Sequence, residues 1–391
     1  MTKTDVYLID GLRTPIASPH RSLKTFTAAQ LAGHVIREIV RRNKINKEKI
    51  DEVILGNVVA AGTGQNVSRQ AAVLAGLPYG VDAYTVNNVC GAGLQAVVSG
   101  LNAIWAGTAQ LVVAGGTESA THNPYLVKKS DEHALSKDVL KDSLHHDGLF
   151  CQMTKKSMGQ LVEGLVRKHR ISREDQDAYA LESHRRACWA KENKKFADEI
   201  VPLRTSRFKK IDSDDRPRKS ISLESLAHLS AAFAPKGSIT SGNASSPADG
   251  AAVVVLASGN AVKTYHLRPK ARILGYRSVM VKPEETFEAA VLAIRECLEK
   301  YQLALEGVNL FEVAESFAAH ALFTQRKLKI PKEKLNIYGG DLAFGHPLGA
   351  AGARILVTLL HALEKEKRQT GMACIAYGGG GAQAMMIERV Y

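Results

Sequence analysis

A chain of 391 residues with 45% hydrophobic content can bury a large core, spread over two or three domains. Its hydrophobic residues are interleaved with charge, and the sequence reads as lacking the roughly 18–20-residue apolar run of a membrane span. A formal charge of +13 raises nucleic acid as a partner, yet basic and acidic residues alternate in helix-like segments, with no nucleic-acid motif or aromatic-basic stripe.

Five cysteines, Cys90, Cys151, Cys188, Cys297 and Cys374, are too scattered for a disulfide framework, and none lies in a Cys-x-x-Cys pair. Neither a metal site nor a redox pair is therefore expected. The opening residues carry no charged and apolar leader with a cleavage site. The expectation is a protein of a reducing cytoplasm.

In chain order, residues 6–9, 52–55, 83–87 and 111–114 read as buried strands, with an amphipathic helix over 28–42 between the first two. Residues 119–249 differ: they are polar, broken by Pro124, Pro202, Pro217 and Pro235, and carry helices at 157–169 and 173–192. They read as an insertion or cap outside the sheet. Within it Arg204, Arg207, Lys209, Lys210, Arg216, Arg218 and Lys219 face only Asp212, Asp214 and Asp215. That cluster fits either a solvated loop or one that meets a polyphosphate. The earlier rhythm then returns, with strands at 251–257, 312–315, 373–377 and 384–389 and helices at 283–301 and 350–365. Such alternation argues for a parallel α/β sheet covered by helices on both faces. Two similar halves around an insertion suggest duplication, with 1–118 and 250–270 in the first half, 119–249 as the insertion, and 271–391 in the second.

Three stretches carry chemistry. In Tyr84-Thr-Val-Asn-Asn-Val-Cys90-Gly-Ala-Gly a strand ends, a turn of small residues follows, and a helix begins just after the cysteine. Free N–H groups at a helix start favour a thiolate and can hold the oxyanion of an attacked thioester. A small buried cysteine fits the same residues. In Tyr338-Gly-Gly-Asp-Leu-Ala-Phe-Gly-His346-Pro-Leu-Gly, glycines constrain His346 and Pro347 suits a helix opening. A histidine held there is either packed structure or the base for a thiol. In Cys374-Ile-Ala-Tyr-Gly378-Gly-Gly-Gly381 a strand runs into four glycines, which fits close approach of a ligand or a plain turn.

Together these stretches resemble the thiolase family. The likeness spans nearly the whole chain through Arg13-Thr-Pro, Gly56-Asn-Val, Gly64-Gln-Asn, Arg69-Gln-Ala-Ala, Gly115-Gly-Thr-Glu-Ser and Gly237-Ser-Ile-Thr-Ser-Gly-Asn-Ala. The resemblance implies a five-layered αβαβα core of two similar halves, with the 119–249 loop domain covering coenzyme A. It implies a homodimer or homotetramer acting on acyl-CoA or 3-ketoacyl-CoA, with coenzyme A as substrate or product and no permanently bound cofactor. By that likeness Cys90 is the acyl acceptor and His346 its activator, and the backbone N–H groups of Cys90 and Gly378 form an oxyanion hole. Ser245, Arg218, Phe233 and Leu149 would contact coenzyme A, Ser245 at the pantetheine arm and Arg218 at the nucleotide end.

Several positions depart from the family. The Cys-x-Gly turn that supplies a second cysteine reads Ala376-Tyr377-Gly378, and the Asn of Asn-Glu-Ala-Phe is Ala314. Ala92 replaces a serine, Ser157 replaces the His of His-Met-Gly, and Val281-Lys-Pro-Glu-Glu replaces a glycine-proline turn. Groups that make an acyl-cysteine survive, whereas groups that handle the carbanion of a second thioester do not. Strand alternation puts Cys374 on the side of Ala376, about 6–7 Å away, as a candidate substitute. Three readings follow: a thiolase-type acyltransferase, an acyltransferase or hydrolase keeping only the first half-reaction, and a non-catalytic coenzyme A binder.

Overall fold

The computed structural model describes residues 4–129, 139–205 and 209–390, so Arg207 of the basic cluster lies outside the described residues. The main sheet has nine strands, β1 (Val6–Arg13), β2 (Glu52–Gly56), β3 (Asp82–Val86), β4 (Leu111–Ser119), β5 (Asp249–Ser258), β6 (Ala271–Met280), β7 (Leu310–Val313), β8 (Thr370–Tyr377) and β9 (Gly381–Arg389). They hydrogen-bond in the order β7-β8-β9-β6-β1-β5-β4-β2-β3. β1 pairs antiparallel with β5, β5 antiparallel with β4, and β4 parallel with β2. The other half repeats this: β6 is antiparallel to β9, β9 antiparallel to β8, and β8 parallel to β7. The repeat makes the duplication visible.

The sheet is thus mixed, and the expectation of a parallel sheet is corrected. Apolar strand runs do not encode direction; the connections do. β8 and β9 are separated by only Gly378–Gly380, too short for the crossover that a parallel pair needs.

The layers follow from which face each strand buries. Helices α1 (Ala28–Arg42) and α2 (Val67–Leu74) share one outer core with Val253 and Val255 of β5. Alternate residues Ala252, Val254 and Leu256 face inward, against α3 (Ala92–Ala106) and a long helix at Leu348–Lys365. β5 is buried throughout, as a strand covered on both faces must be. On the other outer face lie Ala289–Lys300 and Ala318–Leu328. Between β4 and β5 the chain makes α4 (Met158–His169) and α5 (Arg173–Glu192), so these later helices are α6 (Ala289–Lys300), α7 (Ala318–Leu328) and α8 (Leu348–Lys365). The two halves of the sheet, joined only by the short β1–β6 link at Tyr7–Arg272 and Leu8–Ala271, each lie between helices, so helix, half-sheet, helix, half-sheet and helix give five layers.

Local chemistry places the ends. Thr27 with Gln30 and Ser157 with Gln160 form capping boxes before α1 and α4, and Ser172 caps α5. The insertion is tied to β1 by buried Arg13, which donates to Glu199 at 2.6 Å and to both oxygens of Asp214 at 2.7 and 3.0 Å. Residues 89–106 are long and apolar enough to cross a membrane by composition, contrary to the sequence reading. They form the middle-layer helix and the turn before it, so their hydrophobicity serves the core.

Two expected elements are displaced. The helix expected over 283–301 is a short 3-10 turn, Pro283–Glu285, followed by α6 from Ala289. The strand expected over 312–315 ends at Val313, because Glu315 turns its N–H to Asp341 Oδ2 at 3.1 Å.

α3 and α8 start almost backbone to backbone. A Cβ on Gly93 would sit 2.8 Å from the Gly349 carbonyl oxygen and 3.0 Å from Ala353 N, and one on Gly352 would sit 2.7 Å from Leu94 N. Gly93→Val should lower stability by about 1–3 kcal/mol or more through this overlap, read as a drop in the urea midpoint. Unchanged unfolding would show that the two helices are not in close contact.

Candidate active site

β3 runs into a turn built by its own side chains. Asn87 Oδ1 accepts from Val89 N–H at 3.0 Å, and Asn87 Nδ2 donates to the Val58 carbonyl at 3.1 Å. Val89 sits in the left-handed region with φ +48°, a strained place for a β-branched residue, costing about 1–3 kcal/mol. Gly91 and Ala92 then donate to Asn88 and Val89 carbonyls at 3.0 and 2.9 Å, and α3 begins. Tyr377 packs so closely on Gly91 that no Cβ fits there. The result is a sharp elbow that sets Cys90 at a helix start, nearly buried.

His346 occupies the matching place before α8. Its N–H donates to the Ser246 carbonyl at 2.8 Å, with Gly345 in the left-handed region at φ +95° on one side and Pro347 on the other. Its Nδ1 stands 3.2 Å from Asp341 Oδ2, and neither ring nitrogen makes a well-aligned hydrogen bond, as is common in catalytic groups before substrate binds. Asp341 Oδ1 accepts from Arg354 Nη2 at 2.6 Å. Burial opposes charge on His346, but the Cys90 sulfur and the Asp341 carboxylate override it and raise the imidazole to about 10. Burial would likewise raise Asp341, yet Arg354 and His346 bring it down to about 2. An imidazolium facing the sulfur is the partner that a cysteine nucleophile needs.

Glu118 anchors the second helix start. It accepts from Gly349 N–H at 2.9 Å, Val58 N–H at 3.1 Å and Val59 N–H at 3.3 Å. Burial pushes this carboxyl up to about 7 against those donors. One side chain thereby fixes the first turn of α8 to the loop that also holds Asn87.

Six of the residues singled out in the sequence meet around one cavity of about 50 Å³: Cys90, His346, Ser245, Leu149, Ala376 and Gly378. Ser245 Oγ donates to the Ser316 carbonyl at 3.0 Å. Phe233 stands one ring back, edge-on to Phe317 at 6.2 Å. Ala314 is buried behind the wall, donating to the Cys374 carbonyl at 2.9 Å. Arg218 is brought elsewhere, to an open groove of about 630 Å³ with Arg185, Trp189 and Lys219. Cys374 does not replace the missing cysteine: its Sγ lies 3.8 Å from the Ala290 carbonyl, in the core against α6, and burial pushes the thiol up. Alternation put it on the correct side of β8, but two residues along the strand is already inside the packed layer.

Asp341, Arg354, Glu118 and Val89 were not singled out. A signal existed for two of them: a single arginine on the otherwise apolar first turns of a buried helix requires an acid, and Asp341 precedes it in the same glycine-rich stretch.

A cysteine and a histidine at the starts of two paired helices, in a duplicated αβαβα fold, define a thiol-nucleophile site of the kind that forms acyl-enzymes. The thiolase N-terminal domain family matches residues 6–260 and the thiolase C-terminal domain family matches residues 267–389. A probable acetyl-CoA acetyltransferase of Escherichia coli is 41% identical over 389 residues, covering 98% of this chain and 99% of that one. Among solved structures, the Bacillus anthracis acetyl-CoA acetyltransferase superposes with a TM-score of 0.95 at 37% identity, covering 99% of both chains. A thiolase from Ascaris suum in complex with coenzyme A gives 0.93 at 36% identity, covering 99% of this chain and 100% of that one. The chain belongs to the thiolase family.

The raised imidazole makes stability depend on pH with a definite sign. Held at about 10 against an ordinary 6.5, His346 stabilises the fold fully below pH 6.5 and loses that contribution as pH rises through 10. Between pH 7 and 10 the urea midpoint of the wild type should therefore fall more than that of His346→Asn. Parallel curves would remove the buried imidazolium from the account.

Proposed function

We propose that the chain is a thiolase-type acyltransferase that takes an acyl group from an acyl-CoA or 3-ketoacyl-CoA onto Cys90. The observation that carries this reading is the meeting of Cys90 with the His346–Asp341–Arg354 chain at one cavity. With the thiol proton already resting on His346, the Cys90 sulfur attacks the thioester carbonyl, and the N–H groups of Cys90 and Gly378 receive the negative oxygen. The carbonyl re-forms, and His346 returns the proton to the departing coenzyme A thiolate, or to the acetyl-CoA enolate when a 3-ketoacyl-CoA is cleaved. Coenzyme A is substrate or product here and not a resident group. Ser245 faces its pantetheine arm, Phe233 and Leu149 flank the path, and Arg218 meets its nucleotide end.

The second half-reaction is weakened. Ala376 offers no acid or base for the α-carbon, and Ala314 offers no amide. Such losses cost about 10²–10⁴ and 10²–10³ in rate. Condensation and thiolysis are accordingly slow, and a second reading is favoured by the same two alanines: passage of the acyl group to water or to an acceptor that is already nucleophilic.

We infer a homodimer or homotetramer, supported by β3, the last strand of the sheet, whose outer edge is unpaired among the described residues. A cytoplasmic location is supported by five free cysteines.

Release of coenzyme A from acyl-CoA should vanish in Cys90→Ser and fall by about 10²–10⁴ in His346→Asn. Full turnover by Cys90→Ser would overturn the reading. Ala376→Cys should raise thiolysis of acetoacetyl-CoA by at least about tenfold, within the range of a restored acid/base. No gain would mean that the α-carbon chemistry is limited elsewhere.

A further inference from the structure

We propose that the cleft between α5 and α7 is a second ligand site, one that takes a small organic anion, a carboxylate or phosphate ester carried on an apolar body. The site is separate from acyl transfer and does not rest on Cys90 being the acyl acceptor.

The cleft exists because the helix face bordering it is too small and too polar to fill the space. Asp175, Ala178, Tyr179, Glu182, Ser183 and Arg186 follow one another at the spacing of a single α5 face. Opposite them α7 ends at Lys329, in the left-handed region with φ +54°, and Pro331 then keeps the helix from resuming. The chain turns away there and leaves buried Leu322, Ile330 and Leu335 as an apolar floor. About 580 Å³ stays open, within the range of small-molecule sites.

Charge decides what the cleft holds. Asp175 accepts from Arg326 at 2.6 Å, and Glu182 accepts from Arg186 at 2.9 Å. Buried Glu315 accepts from Tyr179 at 3.1 Å, Ser183 at 2.6 Å and Asn336 at 2.8 Å. Every acid in the wall is thus answered. Lys329 and Lys332, exposed at the rim, make no side-chain hydrogen bond or ion pair among the described residues. Two cations are left over.

Gln325 gives a second, independent sign. It lines the cleft and is only 8% exposed, yet its amide has no hydrogen-bond partner among the described residues. A buried amide is normally paired, and a polar group bound in the cleft supplies that partner. Cations and an amide beside an apolar floor suit an anionic head on an apolar body. A neutral ligand would leave the lysines unanswered, and an inorganic anion would leave the floor bare. The cleft and the Cys90 cavity have no lining residue in common, although Glu315 of the one is followed by Ser316 and Phe317 of the other.

The test is calorimetric titration of the full chain with octanoate, octyl phosphate and neutral octanamide, each with and without saturating coenzyme A. Binding by either anion at one site per chain, undisturbed by coenzyme A, supports the site, and the tighter anion names the head group. Octanamide should bind about tenfold more weakly or worse. Lys329→Glu combined with Lys332→Glu should weaken anion binding by about tenfold or more. Ala178→Trp, on the exposed α5 face, should abolish it by filling the cleft. Unchanged urea midpoints check that both variants keep the fold. No binding of either anion overturns the inference, as does equal binding of octanamide. Displacement by coenzyme A, or unchanged binding in either variant, overturns it too, because the ligand would then sit elsewhere.

Discussion

The starts of α3 and α8 lie against each other with glycine on both sides, and the site depends on that approach. Gly93, Gly349 and Gly352 leave room for backbone where side chains would stand. Because the two halves are a duplication, the residues just before these helices occupy equivalent places, one Cys90 and the other His346. Bringing the helix starts together brings those two side chains to one cavity. Glu118 secures the arrangement by holding Gly349 and the 58–59 loop at once.

The electrostatics of the site are set by burial. A buried arginine is costly unless acids surround it, and Arg354 has Asp341 at 2.6 Å and Glu312 at 3.4 Å. The Cys90 sulfur, and after it Asp341, give His346 a proton affinity unusual for a buried imidazole. The rest of the cavity lining includes Ala376 and the aromatic rings of Phe287, Phe317 and Tyr377. A neutral acyl group is the species that such a surface accommodates best.

Much of the fold was legible in the sequence where local rules dominate. Helix 173–192 is observed over the same residues, because Ser172 caps it and acids fill its first turn. The strand-helix alternation also follows from periodicity. Strand direction was missed because it was read from the apolar runs and not from the connections, of which the short 378–380 turn already requires an antiparallel pair. Residues 286–288 and 314–315 were misread for one reason: tertiary hydrogen bonds from Thr286 and Glu315 override local propensity at the cavity. Cys90, His346 and Gly378 were visible as small-residue turns at element ends. Glu118 was not, since nothing in Gly115-Gly-Thr-Glu-Ser reveals that its carboxylate reaches a helix start more than two hundred residues away.

The central claim is that His346 and Cys90 act as a pair created by the two helix starts. Its most direct test is the rate of Cys90 alkylation by iodoacetamide near pH 6.5, compared between wild type and His346→Asn with the modified peptide identified. The account predicts that wild type reacts at least about tenfold faster, because a neighbouring imidazolium favours the reactive thiolate. Equal rates in the two proteins would show that the histidine does not act on the cysteine, and the pair would be no more than neighbours.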